Sequence, residues 1–123
     1  MKKVLHVRAG EPASASLDRA RKSMEALQAG RKAEPHYSVG FASLAQMLAT
    51  FTPRRLELIA ALREQGPTTV AALARSLGRD YKNVHSDVAA LLEWLAIERD
   101  DAGKVLVPWD EIDITLPLTK QAA

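Results

Sequence analysis

The chain has 123 residues, a formal net charge of +2, 47% apolar and 5% aromatic residues, and no cysteine. This fits one small domain with extensions, whose core draws mainly on Leu, Ala, Val and Ile. Disulfides, iron–sulfur clusters and thiolate zinc sites are excluded, in keeping with a reducing compartment.

In chain order, Val4, His6 and Arg8 alternate with Leu5 and Val7, which predicts a short strand over residues 2–8 that ends at Gly10-Glu11-Pro12. Ser16 or Asp18 caps a helix running to about Ala29, with Leu17, Ala20, Met24 and Leu27 on one stripe and Gly30 as its stop. A polar linker over 31–35 precedes a second short strand over 36–42. Ser43 caps a short helix over 44–49. Thr52-Pro53 opens the next helix, with the Thr hydroxyl as acceptor and Pro at the first helical position. Its apolar face is expected from Leu56, Ile59, Ala60 and Leu62, and Gly66-Pro67 stops it. Thr68 or Thr69 caps a helix over 70–77. Asp80 caps a longer one that reaches about Trp94. Residues 97–99 and 104–107 pair around Asp100-Asp101-Ala102-Gly103, a turn rich in hairpin residues. Residues 111–116 alternate as a last strand, and 119–123 form a frayed tail.

Helix, tight turn, longer helix and two-strand ribbon over residues 69–107 make a winged helix-turn-helix pattern, which sets one helix in the DNA major groove. The expected fold is α+β and mainly α. An N-terminal strand-helix-strand extension over 1–42 serves dimerisation or partner binding, the winged helix-turn-helix domain spans 43–118 and includes the last strand, and a flexible tail covers 119–123.

On a helical period Val84, Val88, Leu91 and Leu95 share the inner face of the longer helix, with Tyr81 and Leu92 at its edge. Lys82, Ser86, Ala89 and Ala90 lie opposite, Arg79 sits in the turn, Asn83 is on the flank and His85 falls between the faces. Lys82 and Arg79 suit phosphate or guanine, and Asn83 suits adenine N6 and N7. Arg54 and Arg55 stand at a helix N-terminus, where backbone N–H groups favour anions. Arg99 and Lys104 flank the ribbon and suit phosphate or the minor groove. Each has a plainer reading: solvated charges for the cations, a first-turn stabiliser for Asn83, a packed ring for Tyr81 and a neutral boundary residue for His85. In this scaffold the set together favours DNA contact.

Charge distribution opposes that reading. Residues 1–35 hold eight basic residues against four acids, whereas residues 69–107 hold five against six. A positive field at the groove therefore depends on local placement.

His6, His36 and His85 lack metal-ligand spacing, and no Walker loop, dinucleotide Gly pattern or nucleophile elbow occurs. No enzyme activity and no cofactor are expected. A nuclease using Asp110, Glu111 and Asp113 is the remote exception, and alternation along a strand separates Asp110 from Glu111. No apolar run approaches the roughly 20 residues that span a bilayer, and charges interrupt the start too early for a signal peptide. A cytoplasmic protein without membrane contact is expected.

Residues 77–88 (Leu-Gly-Arg-Asp-Tyr-Lys-Asn-Val-His-Ser-Asp-Val), the Ile-Glu-Arg-Asp of 97–100, and Val-Pro-Trp-Asp-Glu-Ile at 107–112 with Leu-Pro-Leu at 116–118 resemble one family. It is the MarR-like winged-helix group of prokaryotic transcriptional regulators, often encoded beside a small toxin gene. The resemblance covers about residues 41–118 well and the N-terminal third loosely. It implies an antitoxin of a type II toxin–antitoxin system that represses its own operon and neutralises a partner toxin by direct contact. Arg79, Tyr81, Lys82, Asn83 and His85 match its recognition-helix string. The chain departs from it at Ser86, where a basic residue is common, and at Leu95, where Gly is common at the helix exit.

The expectation is a homodimeric repressor bound to double-stranded operator DNA, because one helix reads only a few base pairs. The dimer surface is expected from the N-terminal strand and helix, the last strand and Trp109, and a toxin would share or compete for it. The rival reading is a winged-helix protein–protein adaptor without DNA binding.

Overall fold

The computed structural model of the chain describes residues 2–10 and 37–118. The helix expected up to Ala29, the linker over 31–35 and the tail from residue 119 lie outside the described residues. The fold is α+β.

Contacts divide the chain into two compact units, Met1–Leu48 with Asp110–Ala123, and Ala49–Trp109. The sequence boundary at 42/43 and the assignment of the last strand to residues 43–118 therefore shift. The cause is hydrogen bonding: that strand pairs with the strand over residues 4–9.

In the first unit, β1 (Val4–Ala9), β2 (Tyr37–Phe41) and β5 (Glu111–Thr115) form a sheet of order β2-β1-β5, parallel throughout. Val7 is in register with Val39 and Ile114, and His6 with Ser38 and Asp113. The two-residue period of a strand puts Leu5, Val7, Ala9, Val39 and Phe41 on one buried face. His6, Arg8, Ser38, Asp113 and Thr115 share the other. Parallel neighbours require a crossover connection, and between β2 and β5 that connection contains the whole second unit. Asp110 fixes the entry to β5: its carboxylate accepts from the Lys3 N–H (2.9 Å), and its own N–H donates to the Lys3 carbonyl (2.8 Å). Ser43 accepts from the Gln46 N–H (3.1 Å) at the start of α1 (Leu44–Thr50).

The second unit is built on three helices and a ribbon. α2 (Pro53–Gln65) begins where Thr52 accepts from the Arg55 N–H and ends at Gly66, φ 86°. Leu58, Ile59 and Leu62 are its buried residues, whereas Ala60, expected on the inner face, is exposed. Periodicity gave the stripe, and packing turned the helix until the larger Leu58 faced inward. α3 (Val70–Leu77), capped by Thr69, buries Leu73 and Ala74. α4 (Tyr81–Glu93) buries Val84, Val88 and Leu91 and packs on α3. Asp80 sits at its N-cap, but the carboxylate makes no cap bond, contrary to expectation. β3 (Glu98–Arg99) and β4 (Val105–Leu106) pair antiparallel, and Thr68 bridges to Val105 on the far side of β4. The bridge lays the segment between α2 and α3 beside the ribbon.

Two residues change sides. Leu95 is not in α4 and is 56% exposed, while Ala96 and Ile97 go inward in its place. Trp109, expected on a dimer surface, is 4% exposed, and its indole N–H donates to the Leu95 carbonyl (3.0 Å). A buried Trp needs a partner for that N–H, and the exit of α4 supplies it. No helix among the described residues is long and apolar enough to cross a membrane.

Candidate nucleic-acid interface

The joint between α3 and α4 positions the candidate surface. Gly78 takes φ 64°, its N–H donates to the Arg75 carbonyl (3.1 Å), and the Arg79 N–H reaches the Ala74 carbonyl (3.0 Å). This is a Schellman closure, in which a left-handed residue satisfies the last carbonyls of a helix and turns the chain sharply. The second closure, at the exit of α4, uses a residue with a side chain. Leu95, φ 65°, donates to the Leu92 carbonyl (3.2 Å), and Ala96 donates to the Leu91 carbonyl (3.0 Å). Leu95 thus takes up a left-handed conformation that glycine adopts freely.

α4 is two-sided. Opposite its buried residues stand Lys82, Ser86 and Ala89, all exposed, with exposed Asn83 and His85 on the flanks. Tyr81, expected to pack at the edge, is 51% exposed, and its ring lies 5.8 Å from that of His85, one turn on. Arg54, Arg99 and Lys104 are also exposed. Arg99 donates to the Gly103 carbonyl (3.2 Å) across the ribbon turn. Asp100 closes that turn by accepting from the N–H groups of Ala102 (3.0 Å) and Lys104 (2.9 Å). One carboxylate at the ribbon tip is therefore used internally, while Asp101 remains exposed.

Arg55 and Arg79 are arranged differently from the other expected cations. Both converge on Asp87: Arg55 Nε donates to Oδ1 (3.0 Å) and Arg79 Nη2 to Oδ2 (2.7 Å). The three side chains keep only 20%, 17% and 15% of their exposure. Arg55 Nη1 also donates to the Ala49 and Thr50 carbonyls, each at 3.2 Å. Burial presses the Asp87 carboxyl upward, and the Arg79 and Arg55 guanidiniums outweigh it, so it lies below its ordinary value of 3.8. Sequence reading missed Asp87. The available signal was an acid three residues after Val84 on the border of the buried stripe, where an unpaired carboxylate would be costly.

A family model, HVO_A0114, matches residues 50–114, more than half of the chain. The chain belongs to the HVO_A0114 family. The HVO_A0114 match takes in α2, α3, α4, the ribbon and most of β5, and so contains every expected contact residue. No curated protein and no solved structure matches the chain.

The acidic run after Trp109 is accounted for piece by piece. Asp110 holds the Lys3 backbone, Glu111 lies 3.4 Å from the Lys2 ammonium, and Asp113 lies 3.3 Å from His6 Nδ1. Among the described residues no group of three or more His, Asp or Glu is placed to hold a metal ion.

Proposed function

We propose that the chain is a sequence-specific, DNA-binding transcriptional regulator built on a winged helix-turn-helix, with α4 as its recognition helix. The observation that carries this reading is the two-sidedness of α4 after the Gly78 turn. Its inner face is wholly apolar, and its outer face offers Lys82, Asn83, His85 and Ser86 around the small Ala89. The order α2, Thr68 bridge, α3, α4, ribbon supports the winged arrangement. Lys82 meets phosphate or guanine, and Asn83 pairs with adenine. Arg54 adds a phosphate contact at the N-terminus of α2, and Arg99 and Lys104 add ribbon contacts. Two-fold operators require two copies. Exposed Ile114, Leu116 and Leu118 on and after the edge strand β5 support a dimer through the sheet unit. The resemblance to MarR-like antitoxins adds autoregulation and a partner toxin to the proposal.

One observation favours the adaptor reading: Asp87 engages two of the cations that the groove would use. Binding of the purified chain to its own upstream duplex, against a scrambled duplex at two salt concentrations, separates the two. The regulator reading expects selective binding that weakens with salt. Asn83→Ala should cost about 1–3 kcal/mol at one base pair, and Lys82→Ala should weaken binding as well. Equal binding to both duplexes refutes the regulator reading.

A further inference from the structure

We infer that Asp87 is the selectivity-determining residue of this surface, because it holds the Arg55 and Arg79 guanidiniums against α4 and keeps both off the phosphate backbone. The inference rests on the DNA-binding reading above and assigns roles within it. Arg55, Arg79 and Asp87 are positioning residues in this scheme, and none of them reads a base.

Three observations carry it. First, the clamp joins parts of the unit that sequence keeps apart, since Arg55 and Arg79 lie 32 and 8 positions from Asp87. They stand at the N-terminus of α2 and in the turn before α4, so one carboxylate fixes α4 to both. Second, the guanidiniums are directed inward. Arg55 directs its Nε and Nη1 donors to Asp87 and to the Ala49 and Thr50 carbonyls, and both arginines are more than three-quarters covered. Exposed ion pairs contribute little because water and side-chain entropy compete with them, but these groups are mostly withdrawn from water. Third, Asp87 follows Asn83 by one helical turn, so the two are neighbours on the same flank of α4. The clamp therefore borders the position proposed to read a base.

Asp87 thus does two things at once. It sets the angle at which α4 is presented, on which base contacts depend. It also removes two cations from the attraction that binds any duplex regardless of sequence. Without its charge, two guanidiniums in a small space would repel each other and turn toward an external anion.

The test compares the full-length chain with Asp87→Asn and Arg79→Gln, on the upstream duplex and on a scrambled duplex of equal length, over a salt series. Circular dichroism melts check folding. For D87N we expect scrambled-duplex binding to rise about tenfold at low salt. The dependence of log K on log salt should steepen by up to roughly 2, near 0.9 per phosphate neutralised, and preference for the upstream duplex should fall at least tenfold. For R79Q we expect preference to fall with the salt slope unchanged. If D87N does not fold, R79Q decides. A D87N slope equal to wild type overturns the inference, and so does an R79Q slope shallower by about 1, which would make Arg79 a direct phosphate contact. A wild-type chain that prefers neither duplex overturns the DNA-binding reading and this role with it. A wild-type chain that discriminates beside variants that discriminate equally overturns this role alone.

Discussion

Replacing Leu95 isolates the cost of left-handed backbone at the exit of the proposed recognition helix. Leu95 has φ 65° and closes α4 through its N–H to Leu92 and the Ala96 N–H to Leu91. A left-handed conformation costs a residue with a Cβ about 1–2 kcal/mol. Glycine escapes that cost but loses about 0.5–1 kcal/mol more backbone entropy on folding. The useful comparison is Leu95→Ala against Leu95→Gly, since both discard the same half-exposed side chain and differ in the backbone. Glycine should be the more stable by roughly 0.5–1 kcal/mol, or about 2–4 °C in Tm for a chain of this size. Urea unfolding followed by tryptophan fluorescence reads it, because the Trp109 indole hydrogen-bonds to the Leu95 carbonyl. An alanine variant as stable as the glycine variant, or more so, would show that Leu95 is not strained and refute the reasoning.

Trp109→Phe should destabilise the chain by about 0.5–1.5 kcal/mol, since it removes the indole hydrogen bond to the Leu95 carbonyl; chemical denaturation measures it. Gly78→Ala should cost about 1 kcal/mol. An added Cβ would meet nothing within 4 Å, so the penalty is the φ of 64° alone, and a thermal melt beside wild type checks it. The Asp87 carboxyl titrates lower in the folded chain than its ordinary value of 3.8. Its contribution is complete above that value and disappears as pH falls through the lower folded one. Asp87→Asn should therefore lose stability most at neutral pH and converge with wild type in acid, as paired denaturation curves from pH 7 down to about 2 would show.

Much of the second unit was legible because its boundaries are set locally. Thr52-Pro53, Gly66 and Thr69 each act within four residues, and the structure uses each as the sequence implies. The end of α4 near Trp94 was legible, but Leu95 was placed on the inner face because it looks like one more apolar residue there, and nothing nearby announces a left-handed leucine. Leu58 displaced Ala60 because a repeat gives a stripe but not its phase against neighbouring helices. The remaining gaps are long-range. Nothing near Glu111 names Val4 as its partner, so the last strand was grouped with the N-terminal strand on a shared surface but not paired with it. Nothing near Arg55 points to Asp87, and Arg54 and Arg55 look alike in sequence. One is exposed and the other is spent on a carboxylate and two carbonyls.

Because β5 docks beside β1, an early-synthesised strand must wait for a late one. The register partner of Val4 is Glu111, and all of residues 49–109 leave the ribosome between them. The helical unit precedes β5 in the chain, and β1 keeps one hydrogen-bonding edge unfilled until β5 has been made. An unfilled edge is a template for mispairing with other chains. A product cut short between Trp109 and Glu111 would retain every helix described here and still expose the β1 edge beside Leu5 and Val7. Premature termination would thus yield an aggregation-prone species with the proposed DNA-reading surface intact.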